Sequence, residues 1–201
     1  MRIIGGQLKG RRFVPPDKIP ARPTTDFAKE GLFNALNNVW DFREVRFLDL
    51  FAGTGNLSYE FGSRGCPSIT SVEQDARLAR FIRENAAEYN LPIQVMQMDV
   101  FQFLERCREQ FPIIFAGPPY PLPELGEIPD KLFATQVLAP GGWFILEHNP
   151  HHNFEKHARF YRSRKYGTTI FSIFEQVEPT EQSGQTNLPD LPSPTDRKEE
   201  E

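Results

Sequence analysis

The stretch that decides the fold is Phe47-Leu48-Asp49-Leu50-Phe51-Ala52-Gly53-Thr54-Gly55, in a chain of 201 residues. An apolar run that carries one acidic residue leads directly into a turn of small residues with two glycines. A buried parallel strand that stops at small residues lets backbone N–H groups come close to a ligand. The stretch therefore predicts a strand, a tight turn and a helix that together grip a nucleotide-like cofactor.

Strand-like and helix-like segments alternate downstream of this turn. Strands are predicted at residues 45–51, 69–72, 93–98, 112–116 and 143–146, with helices starting near Asn56 and lying around 79–89, 101–108 and 131–138. Alternation at this pitch favours a parallel sheet with helices on both faces. Residues 168–174, after an extended stretch around Phe160, are expected to add an antiparallel edge. The prediction is a Rossmann-like α/β fold with a mostly parallel sheet of seven strands.

A further helix is predicted before the first strand. Thr24, Thr25 or Asp26 can cap its amino end. The apolar residues that follow keep helical spacing and are expected to pack on the sheet: Ala28, Leu32, Ala35, Leu36 and Val39.

Charge divides the chain into three parts. The formal net charge is −4, and residues 179–201 account for it, with six acidic and two basic residues. That segment is expected to be a disordered acidic tail. Residues 1–22, with six basic residues and one acidic residue, are predicted to form a basic β-hairpin arm, too small to fold alone. Residues 23–178 are expected to form one domain, since a chain of this length can bury one sizeable core.

The basic residues suit a polyanionic partner, although solvated basic faces are also common. A second basic cluster with no acid in between consists of Lys156, Arg159, Arg162, Arg164 and Lys165. The two cysteines form no disulfide framework, and no apolar segment approaches the roughly 18 residues that cross a bilayer. We therefore expect a cytoplasmic setting. The four neighbouring histidines lack a partner that would complete a metal site.

Acidic residues follow the next two predicted strands as well. Glu73 lies 18 residues after Gly55, a spacing that suits a carboxylate accepting hydrogen bonds from ribose hydroxyls. Asp99 could accept from an adenine amino group in the same way. Asp49 would repel a pyrophosphate but would suit a positively charged amino-acid moiety, such as that of S-adenosylmethionine. This cofactor is therefore favoured, and NAD is the alternative.

The segment after the fourth strand is Phe115-Ala116-Gly117-Pro118-Pro119-Tyr120. It resembles the Asp/Asn-Pro-Pro-Tyr/Phe motif of S-adenosylmethionine-dependent amino-group methyltransferases. Together with Arg2-Ile3-Ile4-Gly5-Gly6, Arg22-Pro23-Thr24-Thr25-Asp26, Leu32-Phe33-Asn34 and Lys165-Tyr166-Gly167, it makes residues 1 to 175 similar to the bacterial RsmD family. That family methylates the N2 atom of one guanine in 16S ribosomal RNA.

The resemblance implies a set of site residues. The catalytic residues would be Gly117, Pro118, Pro119 and Tyr120, with Tyr120 stacking on a flipped base. The cofactor-binding residues would be Asp49, Phe51, Ala52, Gly53, Gly55, Glu73, Asp99 and Val100. The RNA-binding residues would be Arg2, Lys9, Arg11, Arg12 and Arg22. The implied partner is small-subunit rRNA or an assembling 30S particle, and a monomer without metal or membrane contact is expected.

Gly117 departs from the family pattern, which has Asp or Asn at this position. In the family that side chain accepts a hydrogen bond from the reacting amine and orients its lone pair for transfer. Glycine cannot supply this acceptor, and removal of one such hydrogen bond typically lowers a rate about 100- to 1000-fold. A weakened chain that binds cofactor and RNA is therefore an alternative function. Another nucleic-acid amino-methyltransferase and an NAD-dependent enzyme are further alternatives.

Overall fold

The structure is a computed structural model that describes residues 1–16 and 24–177. The predicted RNA-binding residue Arg22, the Arg22-Pro23 part of the motif and the predicted tail at 179–201 lie outside the described residues. No helix in the described part is both long enough and apolar enough to cross a membrane.

Five α-helices and two short 3-10 helices are assigned in the described part. The α-helices are α1 (Asp26–Asn37), α2 (Asn56–Ser63), α3 (Ala76–Glu88), α4 (Val100–Arg106) and α5 (Ile128–Phe133), and the 3-10 helices are Phe42–Glu44 and Pro123–Glu127. Thr25 caps α1 by accepting from the backbone N–H of Ala28 at 3.2 Å, which selects one of the three predicted caps.

Seven strands in residues 1–16 and 24–177 form one sheet, as predicted. They are β1 (Arg46–Leu50), β2 (Ser68–Val72), β3 (Ile93–Met96), β4 (Phe111–Ala116), β5 (Leu138–His148), β6 (Phe160–Tyr166) and β7 (Thr169–Glu175). Their order is β3-β2-β1-β4-β5-β7-β6. The first five strands are parallel, and β7 runs antiparallel to both β5 and β6. The predicted Rossmann-like fold is confirmed, with the antiparallel part formed by the β6–β7 hairpin.

Side chains that alternate along the strands build a core on each face of the sheet. Leu48 and Leu50 of β1 pack with residues of α4 and α5, whereas Phe47 packs with residues of α1 and α2 on the other face. Alternation of this kind is expected of strands buried on both faces. Because the two cores cover the faces of the sheet, the loops that follow the strands form its carboxyl edge.

The amino-terminal arm is a small hairpin that is fastened to the body. Arg2 and Arg12 form an antiparallel bridge, and the arm buries Ile3 and Phe13, as expected of a hairpin too small to fold alone. The ring of Phe13 stacks on the ring of Tyr59 in α2, with centroids 4.5 Å apart.

A buried ion pair also holds the arm. Lys29 of α1 donates to the backbone oxygen of Arg2 at 2.5 Å and to Oε1 of Glu60 in α2 at 3.0 Å, and both charged side chains have no exposed surface. The same Oε1 accepts from the backbone N–H of Ile4 at 2.7 Å. The arm, α1 and α2 therefore share one hydrogen-bonded network.

Two details of the predicted helices are wrong. Val39 was expected on the buried stripe of α1, but the helix ends at Asn37 and Val39 is exposed. The helix expected at 131–138 spans Ile128–Phe133, and Leu138 opens β5 by pairing with Phe111. Apolar residues continue the helical spacing past the true end, while Pro140 disfavours helix in the residue before it.

Candidate active site

The strand register brings the predicted site residues to one edge of the sheet. Leu50 of β1 pairs with Val72 of β2 and with Ala116 of β4, and Val72 pairs with Met96 of β3. The residues that follow these strand ends, among them Phe51, Glu73 and Gly117, therefore lie side by side. This is the edge at which open α/β sheets bind ligands.

The turn after β1 has the backbone conformation that its glycines permit. Gly53 and Gly55 have φ angles of +56° and +77°, and Phe51 also has a positive φ of 60°. A Cβ on Gly55 would lie 3.0 Å from Cγ1 of Ile82 and 3.1 Å from the Tyr59 ring, whereas the space beside Gly53 is open. α2 starts directly afterwards without a side-chain cap. The N–H groups of Ala52 and Gly55 donate to the backbone oxygens of Val72 and Ala52, so hydrogen bonds within the protein hold the turn in this shape.

Glu73 links β2 to this turn. Its Oε2 accepts from the backbone N–H of Gly53 at 2.8 Å, and its Oε1 accepts from the N–H of Asp75 at 2.7 Å. The side chain is nearly buried, and burial raises its pKa above the usual range. A carboxylate has about four acceptor positions, so these two bonds still allow contacts to hydroxyl groups of a ligand.

Asp49 lies beneath the turn. It is 2% exposed, and its Oδ2 accepts from the hydroxyl of Ser58 in α2 at 2.6 Å. Burial raises the pKa of this carboxyl to about 7. The structure therefore places Asp49 where it joins β1 to α2, and its expected contact with a cofactor stays a prediction.

Asp99 is the amino cap of α4. β3 ends at Met96, so Asp99 lies three residues beyond the strand, where its Oδ1 accepts from the N–H groups of Phe101 and Gln102 at 2.9 and 3.0 Å. The next residue, Val100, is buried. The ring of Phe51 lies 6.3 Å from the ring of Phe101 at a steep angle. The turn after β1 and the start of α4 therefore border one region.

The segment after β4 lies beside the turn. The backbone N–H of Gly117 donates to the oxygen of Leu50 at 3.2 Å. Pro118 is buried, Pro119 is exposed, and Tyr120 is half-buried, with its hydroxyl donating to Oε1 of Glu147 at 3.2 Å. This hydrogen bond fixes one end of the ring that was predicted to stack on a base.

Sequence reasoning missed Glu147 of β5. Its side chain is nearly buried, and its Oε2 accepts from the hydroxyl of Thr24 at 2.6 Å. Leu146 pairs with Ala116, so Glu147 and Gly117 are neighbours on adjacent strands. A signal was present, because Glu147 is an acid directly after an apolar strand run, as Glu73 is.

The basic residues differ in how free their side chains are. Lys9, Arg11 and Arg12 are exposed on the arm, whereas Arg2 forms an ion pair with Asp26 at 2.9 Å. In the second cluster Arg162 lies over the ring of Trp143 at 5.0 Å. The arm therefore presents the exposed side chains of Lys9, Arg11 and Arg12 beside the exposed but ion-paired Arg2, with the charge expected of a phosphate-binding surface.

The four histidines differ in burial, since His148 is buried and His151 is exposed. His148 is buried, and its ring nitrogens contact the oxygen of Asn149 and the hydroxyl of Ser172, each at 2.8 Å. Burial lowers the pKa of His148. Across residues 1–16 and 24–177, no group of three or more His, Cys, Asp or Glu is arranged to hold a metal ion.

Comparison with known proteins gives concordant matches. The sequence model of the family described as conserved hypothetical protein 95 matches residues 1–175. The chain is 36% identical to ribosomal RNA small subunit methyltransferase D of Escherichia coli over 148 residues, or 73% of this chain and 71% of that protein. It is 32% identical to the putative rRNA methyltransferase YlbH of Bacillus subtilis over 154 residues, or 74% and 83% of the two chains.

A solved methyltransferase structure has a similar fold. The putative methyltransferase yhhF from Escherichia coli superposes with a TM-score of 0.77 at 28% identity, covering 89% of this chain and 98% of that one. The fold and these matches together define a methyltransferase built on a Rossmann-like sheet. The chain belongs to the RsmD family of rRNA methyltransferases.

Proposed function

We propose that this protein transfers a methyl group to the exocyclic N2 of a guanine in small-subunit rRNA. The observation that carries the proposal is the shared edge of the sheet, where the turn after β1, the carboxylate of Glu73 and the Gly117–Tyr120 segment lie side by side. The similarity to a small-subunit methyltransferase over nearly three quarters of the chain supports this class of RNA.

The cofactor is S-adenosylmethionine, which supplies an electrophilic methyl group on a sulfonium. The described residues fit it. The lack of a side chain at Gly53 and the start of α2, which has no side-chain cap, suit close approach of a polar ligand. Glu73 would hold the ribose hydroxyls, and Asp99, whose Oδ1 is engaged by two N–H groups, would accept from the adenine amine through its other oxygen.

Asp49 would act differently from the initial expectation. Its carboxyl is buried and bonded to Ser58, so it would shape the turn from below. A pKa near 7 leaves much of the group neutral at neutral pH. We therefore propose that Asp49 supports the turn after β1. Its effect on the cofactor would be indirect, because Asp49 would act by holding the backbone of the turn in place.

The base would be held by the segment after β4. Tyr120 would stack on a guanine turned out of its RNA context, and its ring is steadied by the hydrogen bond to Glu147. The carbonyl groups of Gly117 and Pro118 would face the amine. No strong general base is required, because the nitrogen can lose its proton to solvent after transfer.

The exposed cations of the arm would bind RNA phosphates around the target. Lys9, Arg11 and Arg12 project from a hairpin that is tied to α1 and α2, so their charges are held in a defined place relative to the site. Phosphate contacts of this kind position a nucleic acid without reading its sequence.

Two measurements test the proposed function. Calorimetric titration should show binding of S-adenosylhomocysteine and none of NADH, and the reverse result would favour an NAD-dependent enzyme. Single-turnover transfer of labelled methyl should then proceed to small-subunit rRNA and not to large-subunit rRNA. Binding of the cofactor and of the RNA without transfer would instead indicate a weakened binding module, which is what the absence of a side chain at Gly117 would favour.

A further inference from the structure

We propose that Glu147 accepts a hydrogen bond from the amino group of the target base and so supplies, beside Gly117, the acceptor that glycine lacks. This inference rests on the proposed function, because it concerns the group that receives the methyl. It assigns a catalytic role to a residue of β5 that the motif after β4 does not include.

Glu147 lies beside Gly117 at the carboxyl edge of the sheet. Ala116 and Leu146 are paired in the β4–β5 register, and the residues that follow them are Gly117 and Glu147. A Cβ built on Gly117 would lie 3.1 Å from Cε1 of Phe115, whose ring would have to shift slightly, and 4.0 Å from Oε2 of Glu147. The carboxylate therefore borders the space that an Asp or Asn side chain at position 117 would occupy.

Two hydrogen bonds hold the side chain of Glu147 in a fixed orientation. Its oxygens accept from the hydroxyl of Thr24 at 2.6 Å and from that of Tyr120 at 3.2 Å, and the residue is 7% exposed. A group that is held in place before reaction needs little reorganisation during it. The bond to Tyr120 also fixes the acceptor relative to the ring that would stack on the base.

The carboxylate of Glu147 and the exocyclic amine of guanine are chemically complementary. An exocyclic amine donates hydrogen bonds, and a carboxylate accepts them more strongly than a neutral carbonyl does. Accepting one N–H of the amine directs the nitrogen lone pair away from Glu147, which restricts the directions from which a methyl group can be received. The carbonyl oxygens of Gly117 and Pro118 could then take the second N–H.

Substitution with rescue tests this role. In single-turnover transfer to a small-subunit rRNA transcript, Glu147→Ala should lower the rate about 100-fold, while S-adenosylhomocysteine binds as before. Adding Gly117→Asp to Glu147→Ala should recover at least about tenfold, because the new carboxylate would enter the space that Oε2 borders. Glu155→Gln, at an exposed acid, is the matched control and should leave the rate unchanged.

A binding measurement gives a readout that is independent of turnover. Guanosine monophosphate carries the 2-amino group, and inosine monophosphate lacks it. With S-adenosylhomocysteine bound, the wild type should bind the guanosine nucleotide more tightly in an NMR titration. Glu147→Ala should lose most of this preference and keep only the part that the backbone carbonyl groups of Gly117 and Pro118 supply. Glu147→Gln preserves the size of the side chain and keeps one acceptor oxygen, so it should show an intermediate preference. This variant controls for the possibility that Glu147→Ala simply fails to fold.

The outcomes separate the two claims. Wild-type transfer to rRNA with less than a threefold loss in Glu147→Ala, or an unchanged preference for the guanosine nucleotide, would overturn the role of Glu147 alone. A preference that depends on Glu147 without transfer to small-subunit rRNA would support the role and overturn the proposed function. Loss of rate in Glu147→Ala without any rescue by Gly117→Asp, together with an unchanged nucleotide preference, would mean that Glu147 acts only through Thr24 and Tyr120.

Discussion

The carboxylate of Glu73 accepts the backbone N–H of Gly53 at 2.8 Å, which ties the end of β2 to the turn after β1. One side chain thereby holds the backbone conformation of the turn and presents an acid at the same edge of the sheet. The shape of the turn and the predicted ribose contact thus depend on the same residue.

Replacing Glu73 should therefore weaken cofactor binding. Glu73→Ala is expected to lower the affinity for S-adenosylhomocysteine by about 1.5 to 3 kcal/mol, the usual size of a charge-assisted hydrogen bond. Calorimetric titration measures this directly. Glu84→Ala removes a more exposed acid that pairs with Arg80 and should bind as the wild type does. Unchanged affinity in Glu73→Ala would exclude Glu73 from the cofactor site.

The buried pair of Lys29 and Glu60 should be important for stability. Lys29→Met removes one of the two cations that pair with the fully buried carboxylate of Glu60, the other being Arg64. The free energy of unfolding is expected to fall by up to about 3 to 5 kcal/mol. Urea denaturation gives the value. Lys131→Met breaks the exposed pair with Glu127 and should cost less than about 1 kcal/mol. Equal losses in the two variants would contradict the buried network.

Asp49 should make stability depend on pH. Its folded pKa of about 7 lies above the ordinary value of 3.8, so the folded protein holds a proton that the unfolded chain has released. The free energy of unfolding should therefore fall as the pH rises from about 4 to about 7. Asp49 alone would contribute a slope of up to about 1.4 kcal/mol per pH unit. Asp49→Asn should reduce that slope. Because burial also raises the pKa of Glu73, some dependence should remain.

An exposed acid provides the control for this measurement. The guanidinium of Arg43 lowers the pKa of Asp41 to about 2 from the ordinary value of 3.8, so above about pH 5 Asp41 is ionised in the folded protein and almost fully ionised in the unfolded chain. Asp41→Asn should leave the slope between about pH 5 and pH 7 as it is in the wild type. The same slope in Asp49→Asn as in the wild type would mean that Asp49 does not titrate in this window.

The arm should contribute to RNA binding through charge. Replacing Lys9, Arg11 and Arg12 with alanine is expected to weaken binding of small-subunit rRNA and to make its salt dependence shallower, by about 0.7 to 0.9 in the logarithmic slope for each phosphate that is no longer neutralised. Filter binding over a range of salt concentrations measures the slope. A matched triple replaces three exposed arginines that precede the amino ends of β1 and β4: Arg43, Arg106 and Arg108. An unaltered slope in the arm variant would remove the arm from the RNA interface.

Much of the fold could be predicted from the sequence because local patterns and tertiary packing agree there. The apolar run before Gly53 is buried on both faces, as a central parallel strand should be. The helix end near Leu138 could not be found in this way, because Val137 and Leu138 continue the helical spacing but instead begin the pairing with β4. Spacing alone does not distinguish a buried helix from a buried strand.

The site was only partly predictable for a different reason. Strand ends and glycine turns mark the edge, so Glu73 and Gly117 could be identified. The sequence does not show side-chain direction, and Asp49 proved to be buried against Ser58. Glu147 acquires its meaning only from register and from its hydrogen bonds with residues far away in the chain. Lys29 likewise occupies a core position that its charge would argue against.

The most direct test of the account is the identity of the methylated nucleoside. Unmethylated small-subunit rRNA is incubated with the protein and S-adenosylmethionine, digested to nucleosides and analysed by mass spectrometry. N2-methylguanosine is expected as the product, at one position, and it should be lost with Tyr120→Ala. Methylation of another base or of another atom of guanine, or no methylation by folded protein that binds the cofactor and the RNA, would contradict it.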